Sequence, residues 1–299
     1  MRRALERAAA VLALVTATWI VAARTSGAGS LPPASARGGT PDATWRHDPI
    51  WDDGNAEFCA YEVTWHRYGN LYEGRALLVL VKEPWAPDLN VKADRPRPDG
   101  FEVLKLNHVR DVATGIYTYH QMASVYFRRD SGSLVKIAAT SSEACGISMA
   151  EMVDGRLETR SYFDGQGDRT TPYPADSVPE DGLPALLRDY VQGEPPRMLQ
   201  VVPSLLRGRF AHLDAAAYTV HKRRVARIDV PAGTFSGVEI ELRSGDRSIA
   251  YVFEDTGPFR VLRIRHSDGT EYRLAKVERI PYWRMNQPGG EAWLPEHVR

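Results

Sequence analysis

Two cysteines, eight histidines and a few clustered carboxylates carry most of the reactive side-chain chemistry open to this chain of 299 residues. Cys145 lies in SSEACGISMAE, just ahead of an alternating stretch, and Cys59 lies on the apolar side of EFCAYEVTW. A thiol becomes a nucleophile when a base such as His108 or His120 takes its proton and a third group orients that base. The same two cysteines can instead bridge, or stay buried and unpaired. A bridge across so long a loop stabilises by about 4 to 5 kcal/mol on the chain-entropy model. Two cysteines in an exported chain are more often paired than free. A Cys59–Cys145 disulfide is therefore the expectation, with a catalytic Cys145 as the alternative.

Other chemistries find less support. The histidines stand at 47, 66, 108, 120, 212, 221, 266 and 297, without HxH, HExxH or CxxC spacing, so no metal site is expected. WRHDPIWDDG gathers His47, Asp48, Asp52 and Asp53, which could chelate a cation but read better as a polar loop leading into the first strand. Asp52 and Asp53 are adjacent, which sends them to opposite faces if extended and spoils shared acid–base work. FDGQGDRTTPYP lacks the alternation and closing Glu of an EF-hand and reads as a linker. Neither phosphate-cradling glycine pattern occurs, nor a GxSxG elbow, so no cofactor is expected.

Lys and Arg number 38 against 38 Asp and Glu. Nucleic-acid proteins carry a basic excess to displace counterions, so nucleic acid is not an expected partner. The short run His221-Lys222-Arg223-Arg224 reads as a solvated strand face.

The aromatic residues are more suggestive. Tyr117, Tyr119 and Phe127 share one strand face, and Trp65, Tyr68 and Tyr72 sit in a preceding hairpin. Such residues can line a groove for a glycan or an acyl chain, or they can fill a β core.

The elements that must position these groups are mostly strands. The N-terminus opens with Arg2, Arg3 and Arg7, then an apolar run over 8–23, then small residues to Ala28, the plan of a secretory signal over 1–28. The run falls short of the roughly 20 residues that cross a bilayer comfortably, and a retained anchor is the alternative. Residues 29–44, rich in Gly, Pro, Ser and Ala, read as a disordered tether. Strand periodicity follows over 45–170, with stretches at 101–106, 116–127, 134–139, 147–153 and 157–163, and Asp154-Gly155 as a hairpin turn. Residues 171–197 form a Pro- and Gly-rich connector holding one short helix, PALLRDYVQG, and 198–285 form a second β meander, separate or continuous with the first. The fold class is mainly β: an antiparallel sandwich or an open, curved sheet or half-barrel, with one short connecting helix.

RYGNLYEGRALLVLVKEPW, NVKAD, EVLKLNHVRDVATGIYTYHQMASVYF and SSEACG resemble a family of exported bacterial proteins whose members often carry the label septum formation inhibitor Maf. The block from VPAGTF to GTEYRLAKVER resembles a β-rich periplasmic domain family of unknown function. Together they span roughly 50 to 280. The resemblance implies an envelope location and a β-rich fold, and no activity. Nucleotide pyrophosphatase activity, which the label suggests, is not expected, because the Ser-Pro-Arg-Arg loop of those enzymes is missing. The expected function is non-enzymatic binding or assembly in the periplasm or cell envelope, with a lipid, glycan or protein partner. A hydrolase or transferase built on Cys145 is the alternative. Membrane contact is expected only through an uncleaved N-terminal segment.

Overall fold

The computed structural model describes residues 38–294, so the signal segment and most of the expected tether lie outside the described residues. Where the tether is described it is docked: Thr40 pairs with Glu194, and the Asp42 amide donates to the Asp189 carbonyl at 2.7 Å.

Sixteen strands follow. In the first half they are β1 (Ala56–Arg67), β2 (Asn70–Ala86), β3 (Val91–Lys92), β4 (Phe101–Thr114), β5 (Tyr117–Arg128), β6 (Leu134–Glu143), β7 (Gly146–Val153), β8 (Arg156–Arg160) and β9 (Arg169–Pro172). In the second they are β10 (Ser177–Pro179), β11 (Met198–Val202), β12 (Ala216–Val230), β13 (Gly233–Ser244), β14 (Arg247–Glu254), β15 (Val261–His266) and β16 (Glu271–Ile280). Between β10 and β11 lie two helical turns, α1 (Leu183–Leu186) and α2 (Asp189–Gln192).

All strands join one large, open, curved sheet. Neighbours are antiparallel except β10 and β11, which run parallel. The two strand blocks are fused where β1 pairs with β16, Cys59 opposite Val277. Hairpin chemistry explains the connections. At the β7–β8 turn Asp154 and Gly155 both take positive φ, 51° and 70°, the twist a two-residue loop needs to match its strands.

Alternation sends one face inward. Tyr61, Val63 and Trp65 of β1, Leu104 and Leu106 of β4, and Val125 and Phe127 of β5 are all buried in one core. The same core takes in the chain's own 177–210 segment. The expected connecting helix is interrupted between α1 and α2, and it is core: Leu183 and Leu187 are fully buried, and Tyr190 and Val191 nearly so. Arg188 at the break reaches back to the Pro184 carbonyl at 3.2 Å and out to Glu57 of β1 at 2.6 Å. Among the described residues no helix is long and apolar enough to cross a membrane.

Candidate functional site

The apolar inner face gives way to polar groups at one row. Register places Arg110 of β4 opposite Gln121 of β5, Gln121 opposite Ser141 of β6, and Ser141 opposite Ser148 of β7, all four buried. Arg110 Nε and one terminal nitrogen donate to Gln121 Oε1 at 2.9 and 2.5 Å, and its other terminal nitrogen donates to the Tyr272 hydroxyl at 2.9 Å. Gln121 Nε2 donates onward to Ser141 Oγ at 2.9 Å and to the Leu206 carbonyl. The guanidinium also faces the Trp65 ring at 4.4 Å.

This row forms one wall of a cavity of about 510 Å³. His108 and Arg110 of β4, Tyr251 of β14, Ile264 of β15 and Tyr272 of β16 line it, with Glu180 and Asp181 from the inner segment. The loop from Ser204 to His212 closes over it, and Gly208 at φ 66° lets that loop press onto Ser141, where a Cβ would come within 2.8 Å of Oγ. Exposed lining residues, Arg209, His212 and Asp268, mark where the cavity meets solvent.

The titratable groups are set by burial. Asp181 accepts from Ser204 Oγ at 2.5 Å and from the Leu205 amide at 2.7 Å, yet burial still pushes its carboxyl up to about 6. Burial also raises Glu180, whose Oε2 accepts from the Ser204 amide at 3.3 Å. Burial, and then the Arg110 charge, push His108 down to about 3, and burial pushes His266 down to about 4. At neutral pH both rings are therefore uncharged. His108 Nε2 is buried without a hydrogen-bond partner.

The expected disulfide is absent: both cysteines are free, Cys59 buried and Cys145 exposed. The reason is topological. Cys59 faces the core on β1, while Cys145 sits in the turn between β6 and β7, four strands away, which is on the order of 20 Å across the sheet. A bridge needs Cα atoms within about 7 Å. The neighbours of Cys145 are Tyr117, whose hydroxyl meets the thiol, and Glu143, whose carboxylate accepts the Cys145 amide at 2.6 Å. Neither His108 nor His120 hydrogen-bonds to that thiol; His120 pairs with Asp111.

The six aromatics separate. Trp65 and Tyr119 stack edge-on at 5.1 Å, Tyr68 hydrogen-bonds Tyr119 through the hydroxyls, and Arg67 lies within 5.4 Å of all three rings. This cluster borders the cavity through Trp65 and Arg67. Tyr117 lies by Cys145, Tyr72 packs on the core, and Phe127 is buried against Gly182. Asp52 and Asp53 are engaged by cations: Asp52 by Arg129 and Lys82, Asp53 by Arg279.

No family model matches the chain, and no curated protein matches it. Among solved structures it is similar to the beta-barrel-like protein of domain of unknown function DUF1849 from Brucella abortus, at 12% identity and a TM-score of 0.41, over 75% of this chain and 98% of that one.

Proposed function

We propose that this chain is an exported, non-enzymatic binding protein that takes a small ligand into the cavity beside Arg110. The observation that supports the reading is a guanidinium, 7% exposed, whose hydrogen-bond partners are all neutral. Removing a charge from water costs several kcal/mol unless an opposite charge and good hydrogen bonds compensate. The Arg110 charge reaches Glu180 and Asp181 across the cavity without forming an ion pair with either, which leaves donors of the guanidinium for a ligand. The envelope location follows the N-terminal signal pattern and the resemblance to exported proteins. Of the lipid, glycan and protein partners, a small amphiphile of lipid size or less suits about 510 Å³ better than a polymer.

The reading is tested by purifying the protein from its native envelope, denaturing it and identifying released small molecules by mass spectrometry. A near-stoichiometric compound is expected from the wild type and from Cys145→Ser, and its loss from Leu206→Trp, which fills the cavity. An empty wild-type cavity together with turnover that Cys145→Ser abolishes would replace binding with catalysis.

A further inference from the structure

The chemistry of the cavity goes further than a generic ligand. Arg110 presents five N–H donors, of which Gln121 and Tyr272 take three, so one donor on each terminal nitrogen is unspent. Among the described residues no carboxylate forms an ion pair with it. Glu180 and Asp181 line the same cavity but are committed to the amides and hydroxyl of Ser204 and Leu205, where they hold the loop in place. Two positions earlier on β4, and so on the same face, the His108 ring packs edge-to-face with Tyr272, ring centres 5.4 Å apart, and leaves Nε2 buried and unpaired. A planar guanidinium fork beside a neutral imidazole is a match for a two-oxygen planar anion.

We propose that the cavity seats the carboxylate of a small organic acid on the free donors of Arg110 and on His108 Nε2, with the acid's apolar body against Leu206, Tyr251 and Ile264. The proposal rests on the binding reading above and names its ligand class. A monoanion is the right charge. Among the described lining residues Arg110 is the buried cation, and a phosphate dianion seated on it would place surplus negative charge near Asp181 and Glu180, whose carboxyls the Arg110 charge already reaches. Leu206, Tyr251 and Ile264 supply apolar surface in a lining that is otherwise mostly polar, a place for a hydrocarbon or aromatic body beside the carboxylate.

The test is a titration of imidazole-labelled wild-type protein, followed by nitrogen-15 NMR, with three probes: benzoate, benzamide of the same shape without charge, and inorganic phosphate. Benzoate is expected to move the His108 signals and to bind at least tenfold more tightly than either other probe. Arg110→Gln is expected to reduce that preference to within about twofold while its circular dichroism stays that of the wild type. If the variant fails to fold, the wild-type comparison still decides. Equal binding of benzamide, equal binding of phosphate, or a His108 signal that benzoate does not move would overturn the carboxylate seat. A neutral compound released from the native protein would also overturn it while leaving the binding reading standing. Failure of every probe together with an empty native cavity would remove both.

Discussion

Glu57 at the start of β1 and Arg188 at the break between the two helical turns form an ion pair with 2.6 and 3.3 Å contacts, each residue 3% exposed or less. Arg188 also donates to the Pro184 and Pro258 carbonyls, so one side chain ties the inner segment to two regions of the sheet. Removing one partner strands the other charge in the interior. Glu57→Gln and Arg188→Met should each lower stability by about 3 to 5 kcal/mol in urea unfolding. The double substitution Glu57→Met with Arg188→Met should cost less than the sum of Glu57→Met and Arg188→Met. Additive losses would mean that the pair does not act as a unit.

The two thiols should separate by access. Alkylation of the native protein is expected to add one group, at Cys145, and a second only in denaturant, read by intact mass without reductant. Cys145→Ser should leave the unfolding midpoint unchanged. Cys59→Ser puts a hydroxyl into a fully buried apolar site and should cost about 1 to 3 kcal/mol. A native protein that resists alkylation in denaturant would restore the disulfide.

Much of the fold was legible because hairpin turns and period-two alternation are local signals. The site was legible only through Trp65 and His108, and β4 shows why. Its alternation reads cleanly through Leu104 and Leu106, where the expected strand stopped, and then meets His108 and Arg110 at the next two inward positions. Polar residues on an inward face look like the end of a strand, whereas here the strand runs on to Thr114 and the polar residues are the cavity wall. LKLNHVRDVAT keeps its alternation if histidine and arginine are allowed inside, and that was the available signal. Glu180 and Asp181 gave none, since their burial depends on the inner segment folding back into the sheet. The disulfide expectation failed for a similar reason: cysteine count and compartment say nothing of strand order.

Phe127 should behave as packing, not as ligand groove. A Cβ on Gly182 would lie 2.5 Å from Phe127 Cζ and 3.1 Å from Pro179 Cγ. Gly182 has φ of −94°, so the backbone tolerates a side chain there and only the crowding resists it. Gly182→Ala should therefore destabilise by about 1 to 3 kcal/mol, and Phe127→Leu in the same chain should recover part of that loss. Ligand occupancy should not change in either protein. A change in occupancy with Phe127→Leu alone would return this residue to the binding surface.

Acid should act on the cavity in two opposed ways. Burial lifts Asp181 from 3.8 to about 6, so the folded protein keeps a proton that the unfolded chain releases. That contribution to stability is full below about 4 and is lost as pH rises through about 6. Burial and the Arg110 charge hold His108 near 3, so below 6.5 the unfolded chain gains a proton that the folded protein refuses, and stability falls as pH drops. Between pH 4 and 6 the two slopes oppose, which should flatten the wild-type profile there as far as these groups decide it. Asp181→Asn should gain on the wild type by about 3 kcal/mol between pH 4 and 7, and His108→Gln should gain by about the same between pH 7 and 4. Urea unfolding at three pH values measures both differences. Parallel profiles for the two variants would show that neither group titrates as its burial requires.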